Sequence, residues 1–422
     1  MIAIRTAVAK VRKFFLTSRR RWPAIFVIGV LLVIWRRPDV ITYPQFWAED
    51  GLWYADAYGL GPSASLLLPH SSYFQTISRL TAAAAVFLPL ASGPVFFNCA
   101  AIFFRVLPAI FILSSRLNGV LPTARSKFLA AFVLIGLPQI AEVHSNITNS
   151  QWHMAMLSGL ILIADAAPSA AWKIFDATML ILSGLSGPFV LILSPFAIIR
   201  AGMTRSRRLI LPILATAAIE AASVASTLAN ARFHHELGAS LGQFIEIASG
   251  QVFVGALLGA RGFAWLVRHD LWRTPLVGLI FGSCLTLVAY AFWKADARLK
   301  LFWTYCFGVF GATLLQPAAS TALPQWEVMA VPWLAGRYFF LPVVAFAGMV
   351  LWLSQKQNRL LIRASACCLL AVMAIGIAAN WRLPPWPDLD FQHQAKKFEA
   401  AGAGKFDFAI LPVGWTMTLD KP

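Results

Sequence analysis

The strongest candidate for chemistry is an acidic pair within an aromatic segment, Phe46-Trp47-Ala48-Glu49-Asp50-Gly51. Adjacent carboxylates repel each other, which raises the pKa of one member and suits the pair to proton abstraction or to binding a divalent metal. Asp56 follows in the same segment, and we expect it to contact substrate. The alternative interpretation is that these acids are solvated loop residues.

Aromatic side chains surround the acids in the sequence: Trp47, Trp53, Tyr54 and Tyr58. Aromatic rings beside carboxylates occur in sugar-binding sites and also at membrane interfaces. Both interpretations stay open at this level.

The same region ends with His70, Tyr73 and Arg79. A histidine titrates near neutral pH and serves as an acid or a base, or is simply exposed. An arginine at the start of a helix binds a phosphate with two hydrogen bonds or reaches up to lipid head groups. We predict that all three residues contact substrate.

A second polar cluster occupies residues 142–153, between two apolar runs. Amide side chains next to an indole suit the recognition of sugar hydroxyls. The predicted substrate-binding residues of this cluster are Asn146, Asn149, Gln151 and Trp152. The alternative is an ordinary polar loop, and the match of residues 146–148 to an N-glycosylation triplet is common by chance.

Arg337 and Tyr338 begin a late apolar run and form the third cluster. Such a pair suits a lipid-linked phosphate, although both residue types are also standard membrane-interface anchors. The sequence has no Walker loop, dinucleotide fingerprint, HExxH motif or nucleophile elbow. We therefore expect no nucleotide cofactor.

Composition determines the class of protein that positions these residues. Of the 422 residues, 59% are apolar and 13% are charged, whereas soluble domains carry about 25% charged residues. The apolar residues fall into runs that approach the ~20 residues needed to span a bilayer. The sequence therefore predicts an all-α polytopic transmembrane helical bundle, with about 10–12 helices.

The net charge of +17 has a topological explanation. Lys and Arg cluster at the ends of apolar runs, as the positive-inside rule predicts, so the expected partner is the lipid bilayer and not nucleic acid. The five cysteines lie inside apolar segments without metal-ligand spacing. A disulfide framework is not expected.

The predicted organisation has three parts: a basic cytoplasmic N-terminus at 1–21, a transmembrane domain at 22–379, and a small extracytoplasmic tail at 380–422. The first extracytoplasmic loop is placed at 36–76. Basic patches around Arg205, Arg298 and Arg359 mark the cytoplasmic side. Predicted spans after the first helix are 77–91, 95–114, 128–142, 153–166, 174–199, 209–230, 274–293, 301–316, 337–353 and 362–379.

Three regions complicate this arrangement. Two spans within 77–114 would leave Arg116, Arg125 and Lys127 outside, against the charge rule. Residues 244–273 are rich in glycine and predict an interfacial or re-entrant piece. The run at 178–199 is interrupted by Gly184, Gly187 and Pro188, which predicts either a broken helix with anion-binding amides or a kink packed against a neighbour.

These features resemble the GT-C superfamily of membrane glycosyltransferases: a basic-flanked first helix, an acidic first outer loop, many apolar helices and an outward-facing tail. The chain is also similar to a recurrent type of bacterial membrane protein that carries five short segments. They are Trp-Ala-Glu-Asp-Gly at 47–51, Asn-Ile-Thr-Asn-x-Gln-Trp at 146–152, Leu-Ser-Gly-Pro at 185–188, Arg-Tyr-Phe at 337–339 and Pro-x-Gly-Trp at 412–415.

The resemblance implies a transferase that takes a sugar from a polyprenyl-phosphate-linked donor to a glycan or lipid acceptor on the outer face of the bacterial inner membrane. It implies that Asp50 or Glu49 is the catalytic base, while the other orients it or binds Mg²⁺ or Mn²⁺. Arg337, together with Arg79, would neutralise the leaving phosphate. The chain is shorter than many members of the superfamily.

Two other functions stay open. A transporter or flippase of lipid-linked glycans predicts ionisable residues at membrane depth, for which Glu220 is the best candidate. A glycan polymerase or ligase would use Arg79, His70 and His153 in outer loops. The scarcity of acids within apolar runs and the absence of a clear internal repeat favour the transferase.

Overall fold

The computed structural model of the chain describes residues 21–227 and 236–422, and most of them are helical. The predicted basic N-terminus at 1–21 therefore lies almost entirely outside the described residues. The α-helices, numbered in chain order, are α1 Arg21–Arg36, α2 Asp39–Thr42, α3 Glu49–Gly59, α4 Pro62–Ser65, α5 Thr76–Ala85, α6 Gly93–Leu113, α7 Ala124–Gly136, α8 Ser150–Ile163, α9 Ala170–Gly184, α10 Phe189–Thr204, α11 Ile210–Thr227, α12 Leu241–Ile247, α13 Gly255–Arg268, α14 Thr274–Lys294, α15 Ala297–Leu315, α16 Gln325–Ala330, α17 Phe340–Leu353, α18 Leu360–Ala379 and α19 Phe391–Ala400. A π-helix, Ala248–Val254, joins α12 to α13.

Five helices of the described residues are long and apolar enough to cross a membrane: Leu90–Leu113, Leu241–Arg268, Thr274–Lys294, Gly336–Leu353 and Leu360–Ala379. Three shorter apolar helices are Trp22–Arg36, Phe189–Thr204 and Ile210–Ser226. The chain is thus a largely helical protein with several potential membrane spans, in agreement with the sequence. The larger predicted number of spans stays a prediction.

Residues 77–114 contain one long helix instead of the two spans predicted. α5 has only 10 residues, and its start lies beside the turn between α9 and α10, because Thr76 N donates to Leu185 O (2.9 Å) and Ile77 N to Ser186 Oγ (3.1 Å). A helix of this length rises only about 15 Å, half of the ~30 Å hydrocarbon core. α6, with 21 residues, is long enough to cross alone.

One consequence is that Arg116 and Lys127 lie at the same end of the bundle as Arg298. Asp165 N donates to Arg116 O (2.7 Å), and the Asp165 carboxylate pairs with Arg298 (2.7 Å). Lys127 donates to Asn118 Oδ1 (2.6 Å) beside them. We call this the basic end. Arg298 belongs to a predicted cytoplasmic patch, so these contacts favour the same side for Arg116 and Lys127, and that side stays a prediction.

The connection between α7 and α8, residues 137–149, is irregular yet almost entirely buried. Buried carbonyls need donors, and arginines supply them: Arg36 donates to Leu137 O (3.0 Å) and Arg37 to Ala141 O (3.2 Å). The predicted spans at 128–142 and 153–166 are therefore two shorter helices, α7 and α8. Every residue of α8 is buried, so this helix belongs to the protein core.

Residues 241–268 form an apolar helical run that is kinked at Gly259, where φ is +70°. Its partners lie near the ends of other helices. Ser249 Oγ donates to Val277 O (3.3 Å) at the start of α14, and Asn380 Nδ2 donates to Leu258 O (2.8 Å) just after α18. The interfacial or re-entrant piece stays a prediction, because length and composition qualify the run as a potential span.

The tail at 380–422 is not all-α, in contrast to the prediction. β1 (Gly404–Ile410) and β2 (Trp415–Lys421) form an antiparallel hairpin. The sequence alternates in this region, and the hairpin buries Phe408, Ile410, Met417 and Leu419 on one face. Such a period of two is typical of a half-buried strand.

The hairpin packs on the first loop, where α3 begins. Leu411 N donates to Phe46 O (3.0 Å), and Ala48 N donates back to Leu411 O. Gly51 lies directly beneath the hairpin, since a Cβ at this position would lie 2.6 Å from Ile410 Cδ1 and 3.1 Å from Met417 Cβ. The tail and the acidic segment are therefore packed as one unit.

We predict that Gly51→Val lowers the free energy of unfolding by about 1–3 kcal/mol, because the added methyl groups overpack the contact with the hairpin. The control is Gly59→Val on the same helix, where a Cβ meets nothing within 4 Å in the described part of the chain. Thermal unfolding of both detergent-purified variants is the measurement. Equal midpoints would contradict the close packing of the hairpin on α3.

Candidate functional site

The acidic pair occupies the first turn of α3. Carboxylates are stabilised at this position by the free N–H groups and the dipole of the helix N-terminus. The preceding Ala48 has a φ of +48°, which turns the chain sharply into the helix. Asp50 points inward and is fully buried, whereas Glu49 is partly exposed.

Asp50 connects α3 to the buried 137–149 segment. Its Oδ1 accepts hydrogen bonds from Thr148 N (2.9 Å) and Thr148 Oγ1 (2.7 Å), and its Oδ2 accepts one from Trp47 N (3.4 Å). Burial raises the pKa of Asp50 to about 7, because these hydrogen bonds offset only part of the desolvation of the carboxylate and Glu49 adds repulsion. Asp50 thus changes charge near neutral pH.

Thr148 also connects Asp50 to Trp53 and, through the Trp53 ring, to Arg79. Trp53 Nε1 donates to Thr148 Oγ1 (3.0 Å), and the Arg79 guanidinium lies 4.8 Å from the Trp53 ring centroid. The His70 ring meets the same indole edge-on at 5.0 Å. Arg79 also pairs with Asp56 (3.1 Å). The predicted residues Asp56, His70 and Arg79 therefore converge on Trp53.

Tyr73 lies in the turn that places His70, since His70 N donates to Tyr73 O (2.9 Å) and Tyr73 N to His70 O (3.1 Å). The next residue, Phe74, donates its N–H to both carboxylate oxygens of Glu220 on α11 (3.3 and 3.2 Å). Glu220 is fully buried. This contact between the first loop and α11 was not predicted from the sequence.

The predicted amide side chains donate hydrogen bonds mainly to backbone carbonyls of their own loop. Asn146 and Asn149 both donate to Glu142 O (2.7 and 3.2 Å), and Gln151 donates to Thr148 O (3.3 Å). All three amides are buried. They shape the segment that holds Thr148 against Asp50.

Trp152 and Gln151 connect this loop to the turn at 185–188 and to the Arg-Tyr-Phe segment at 337–339. The Trp152 ring lies 4.7 Å from Phe189, the first residue of α10, and 5.9 Å from Tyr338. Gln151 Oε1 lies against Gly187, where a Cβ would come within 2.5 Å and φ is +124°. The turn at 185–188 therefore packs against residues 146–152 as a close backbone approach.

Arg337 and Tyr338 form the third predicted cluster, and Arg337 contacts the 137–149 segment at Glu142. Arg337 pairs with Glu142 through a side-chain hydrogen bond, and its backbone N–H donates to Glu142 Oε2 (3.1 Å). Tyr338 OH accepts a hydrogen bond from Ala318 N (2.8 Å). Arg337 keeps 31% of its side chain exposed, so this is an accessible cation at the edge of the group.

Of the five short segments distinguished in the sequence, four are thus brought into contact, and the fifth, at 412–415, directly follows Leu411. The acidic segment contacts residues 146–152 through Asp50 and Thr148, and it contacts the tail through Leu411. Residues 146–152 in turn contact the 185–188 turn and the Arg-Tyr-Phe segment. We call these five segments the convergent cluster.

The predicted metal role fits Asp50 poorly. Its oxygens face N–H and O–H donors, which satisfy a carboxylate in place of a cation. Within residues 21–227 and 236–422, no three His, Cys, Asp or Glu side chains gather in an arrangement that could hold a metal.

Comparison with models of known protein families and with curated proteins finds no match.

Proposed function

We propose that the chain is a GT-C-type membrane glycosyltransferase that transfers a sugar from a polyprenyl-phosphate-linked donor to an envelope glycan or lipid acceptor. The observation that supports this proposal is the convergent cluster, which joins the acidic pair, Trp152 and Arg337 in one series of contacts. Arg79 and Trp53 lie beside it at Thr148. The proposed location is the bacterial inner membrane, with the tail and first loop outside.

Exposure assigns different roles to the two acids. Glu49 is partly exposed and serves as the base, whereas Asp50 is fully buried and serves as a positioning residue that fixes α3 through Thr148. In the transfer, Glu49 takes the proton of the acceptor hydroxyl. The acceptor oxygen bonds to the anomeric carbon, and the bond between that carbon and the phosphate oxygen breaks, leaving its electron pair on the phosphate.

The two arginines assigned to the leaving phosphate already have carboxylate partners. Arg79 pairs with Asp56 and is 2% exposed, while Arg337 pairs with Glu142. Because Arg337 is more accessible, it is the better partner for an incoming phosphate. Glu142 would then compete with the phosphate for the guanidinium.

We predict that Glu49→Gln fails to restore the envelope glycan or lipid profile of a strain that lacks the gene, because the amide cannot accept the acceptor proton. Mass spectrometry of envelope glycans and lipids in complemented strains is the measurement. The matched control is Asp420→Asn, an exposed acid on the hairpin, which should restore the profile. Membrane abundance of each variant is measured in parallel.

An unchanged profile in the deletion strain and in the Glu49 and Asp50 variants would overturn the proposed transferase. One observation favours transport as the second candidate: Glu220 is a fully buried carboxylate in an apolar helix, and it binds the first loop at Phe74. For a transporter, Glu220→Gln abolishes complementation while Glu49→Gln retains it.

A further inference from the structure

Three arginines converge around the buried 137–149 segment. Arg36 and Arg105 both donate to Ile135 O at the end of α7, the latter at 3.2 Å. Arg37 donates to Ala141 O (3.2 Å). All three side chains are buried, with exposures of 0% to 4%. Since two guanidiniums share one carbonyl oxygen, their positive charges are close together.

In the described part of the chain no carboxylate forms an ion pair with this cationic group, and Asp39, two residues after Arg37, attracts the Arg37 guanidinium through its charge alone. The four ion pairs found there use Arg79, Arg116, Arg298 and Arg337. The hydrogen-bond acceptors of Arg36, Arg37 and Arg105 are backbone carbonyls. Carbonyl dipoles compensate a buried charge less well than an anion does.

Several donors of the group are also unused. Among the described residues, Arg37 Nε, Arg105 Nε and Nη1 and both ring nitrogens of His144 are buried without a hydrogen-bond partner. His144 is completely buried. Burial, followed by the charges of Arg105, Arg37 and Arg36, holds the pKa of His144 well below its usual value. The imidazole is therefore neutral at pH 7 and keeps one N–H donor.

We propose that Arg37, Arg105 and His144 form a binding site for a phosphate group. A phosphate offers several oxygens to the planar forks of two guanidiniums and to an imidazole N–H, and its two negative charges balance those of two arginines. The donors come from three separate parts of the chain: the residue after α1, the middle of α6 and the 137–149 segment. This inference does not depend on the proposed transferase activity.

The site adjoins the acidic pair. The Arg37 guanidinium lies 4.6 Å from the Trp386 ring centroid, and Trp386 stacks on Trp47 at 5.0 Å. Trp47 in turn donates to Asp50. A phosphate held by Arg37 would therefore lie on the other side of this indole pair from Asp50.

The test is thermal unfolding of the detergent-purified full chain, titrated with inorganic phosphate and separately with decyl phosphate, against sodium chloride at equal ionic strength. We expect a saturable rise in the unfolding midpoint of the wild type. Arg105→Gln should weaken the phosphate affinity about tenfold or more, since it removes charge-assisted hydrogen bonds. Arg298→Gln is the matched control and should bind as the wild type does.

The two probes distinguish the source of the phosphate. Stabilisation by both indicates a site open to free phosphate, and stabilisation by decyl phosphate alone indicates a lipid head group. Both outcomes support the site, and native mass spectrometry then identifies the adduct. If Arg105→Gln does not fold, the phosphate affinity of Arg105→Lys and the wild-type titration test the proposal instead. A wild type stabilised no more by either phosphate than by chloride overturns the proposal, as does equal weakening by Arg105→Gln and Arg298→Gln.

Discussion

Asp176→Asn is expected to lower the free energy of unfolding by about 3–5 kcal/mol, because it leaves a buried guanidinium without its counter-charge. Arg116 binds both carboxylate oxygens of Asp176 (2.9 and 2.8 Å), and the two side chains are only 3% and 4% exposed. The Trp172 ring, 5.2 Å from the guanidinium, shields the pair further. The asparagine keeps the shape but removes the charge.

The matched control for this prediction is Asp165→Asn at the same basic end. Asp165 pairs with Arg298, but these side chains are 38% and 25% exposed, and exposed ion pairs contribute about 0–1 kcal/mol. Thermal and denaturant unfolding of the two purified variants gives the comparison. A loss for Asp176→Asn no larger than that for Asp165→Asn would contradict the burial of the Arg116–Asp176 pair.

Asp50 is expected to make the stability of the protein fall as pH rises. Burial raises the pKa of this carboxyl from 3.8 to about 7 in the folded state. Between these two values the unfolded chain has lost the proton while the folded protein still binds it, so raising the pH favours unfolding. The contribution of protonated Asp50 to the free energy of unfolding is intact below pH 4 and is lost progressively up to pH 7. It amounts to about 4 kcal/mol.

Asp50→Asn should remove this dependence, because the amide oxygen still accepts from Thr148 but carries no ionisable group. The measurement is the unfolding midpoint from pH 5 to pH 8, taken as the difference between wild type and variant so that other titrating groups cancel. Glu49→Gln, at the adjacent position, should keep the wild-type decrease of the unfolding midpoint with rising pH. Parallel curves for wild type and Asp50→Asn would show that Asp50 ionises normally.

Much of the helical class was predictable, since apolar runs reveal potential spans directly. Their extent was less predictable: the span predicted at 77–91 contains only α5, whose 10 residues end before α6 begins. Local composition does not distinguish an apolar segment that crosses the bilayer from one that packs on neighbouring protein. The alternating residues of β1 and β2 were overlooked because the tail is short and its helix precedes them.

The separate segments of the candidate site were predictable, but the contacts between them were not. The acidic pair, the amide cluster and the Arg-Tyr segment each have a recognisable composition, but Thr148 and Glu142 received no role as partners. Long-range pairing determines these contacts, and it leaves no periodic signal. Arg36 and Arg37 look like interface anchors in the sequence, because their carbonyl partners lie about 100 residues further along the chain.

The pairing of Leu411 with the Phe46 to Ala48 backbone has a consequence for biosynthesis. The acidic pair leaves the ribosome before the hairpin that covers it, and helices α4 to α19 are made in between. The N-terminal turn of α3 therefore remains uncovered while α4 to α19 are made. The site is therefore completed only when the hairpin has been made and has folded back onto the first loop.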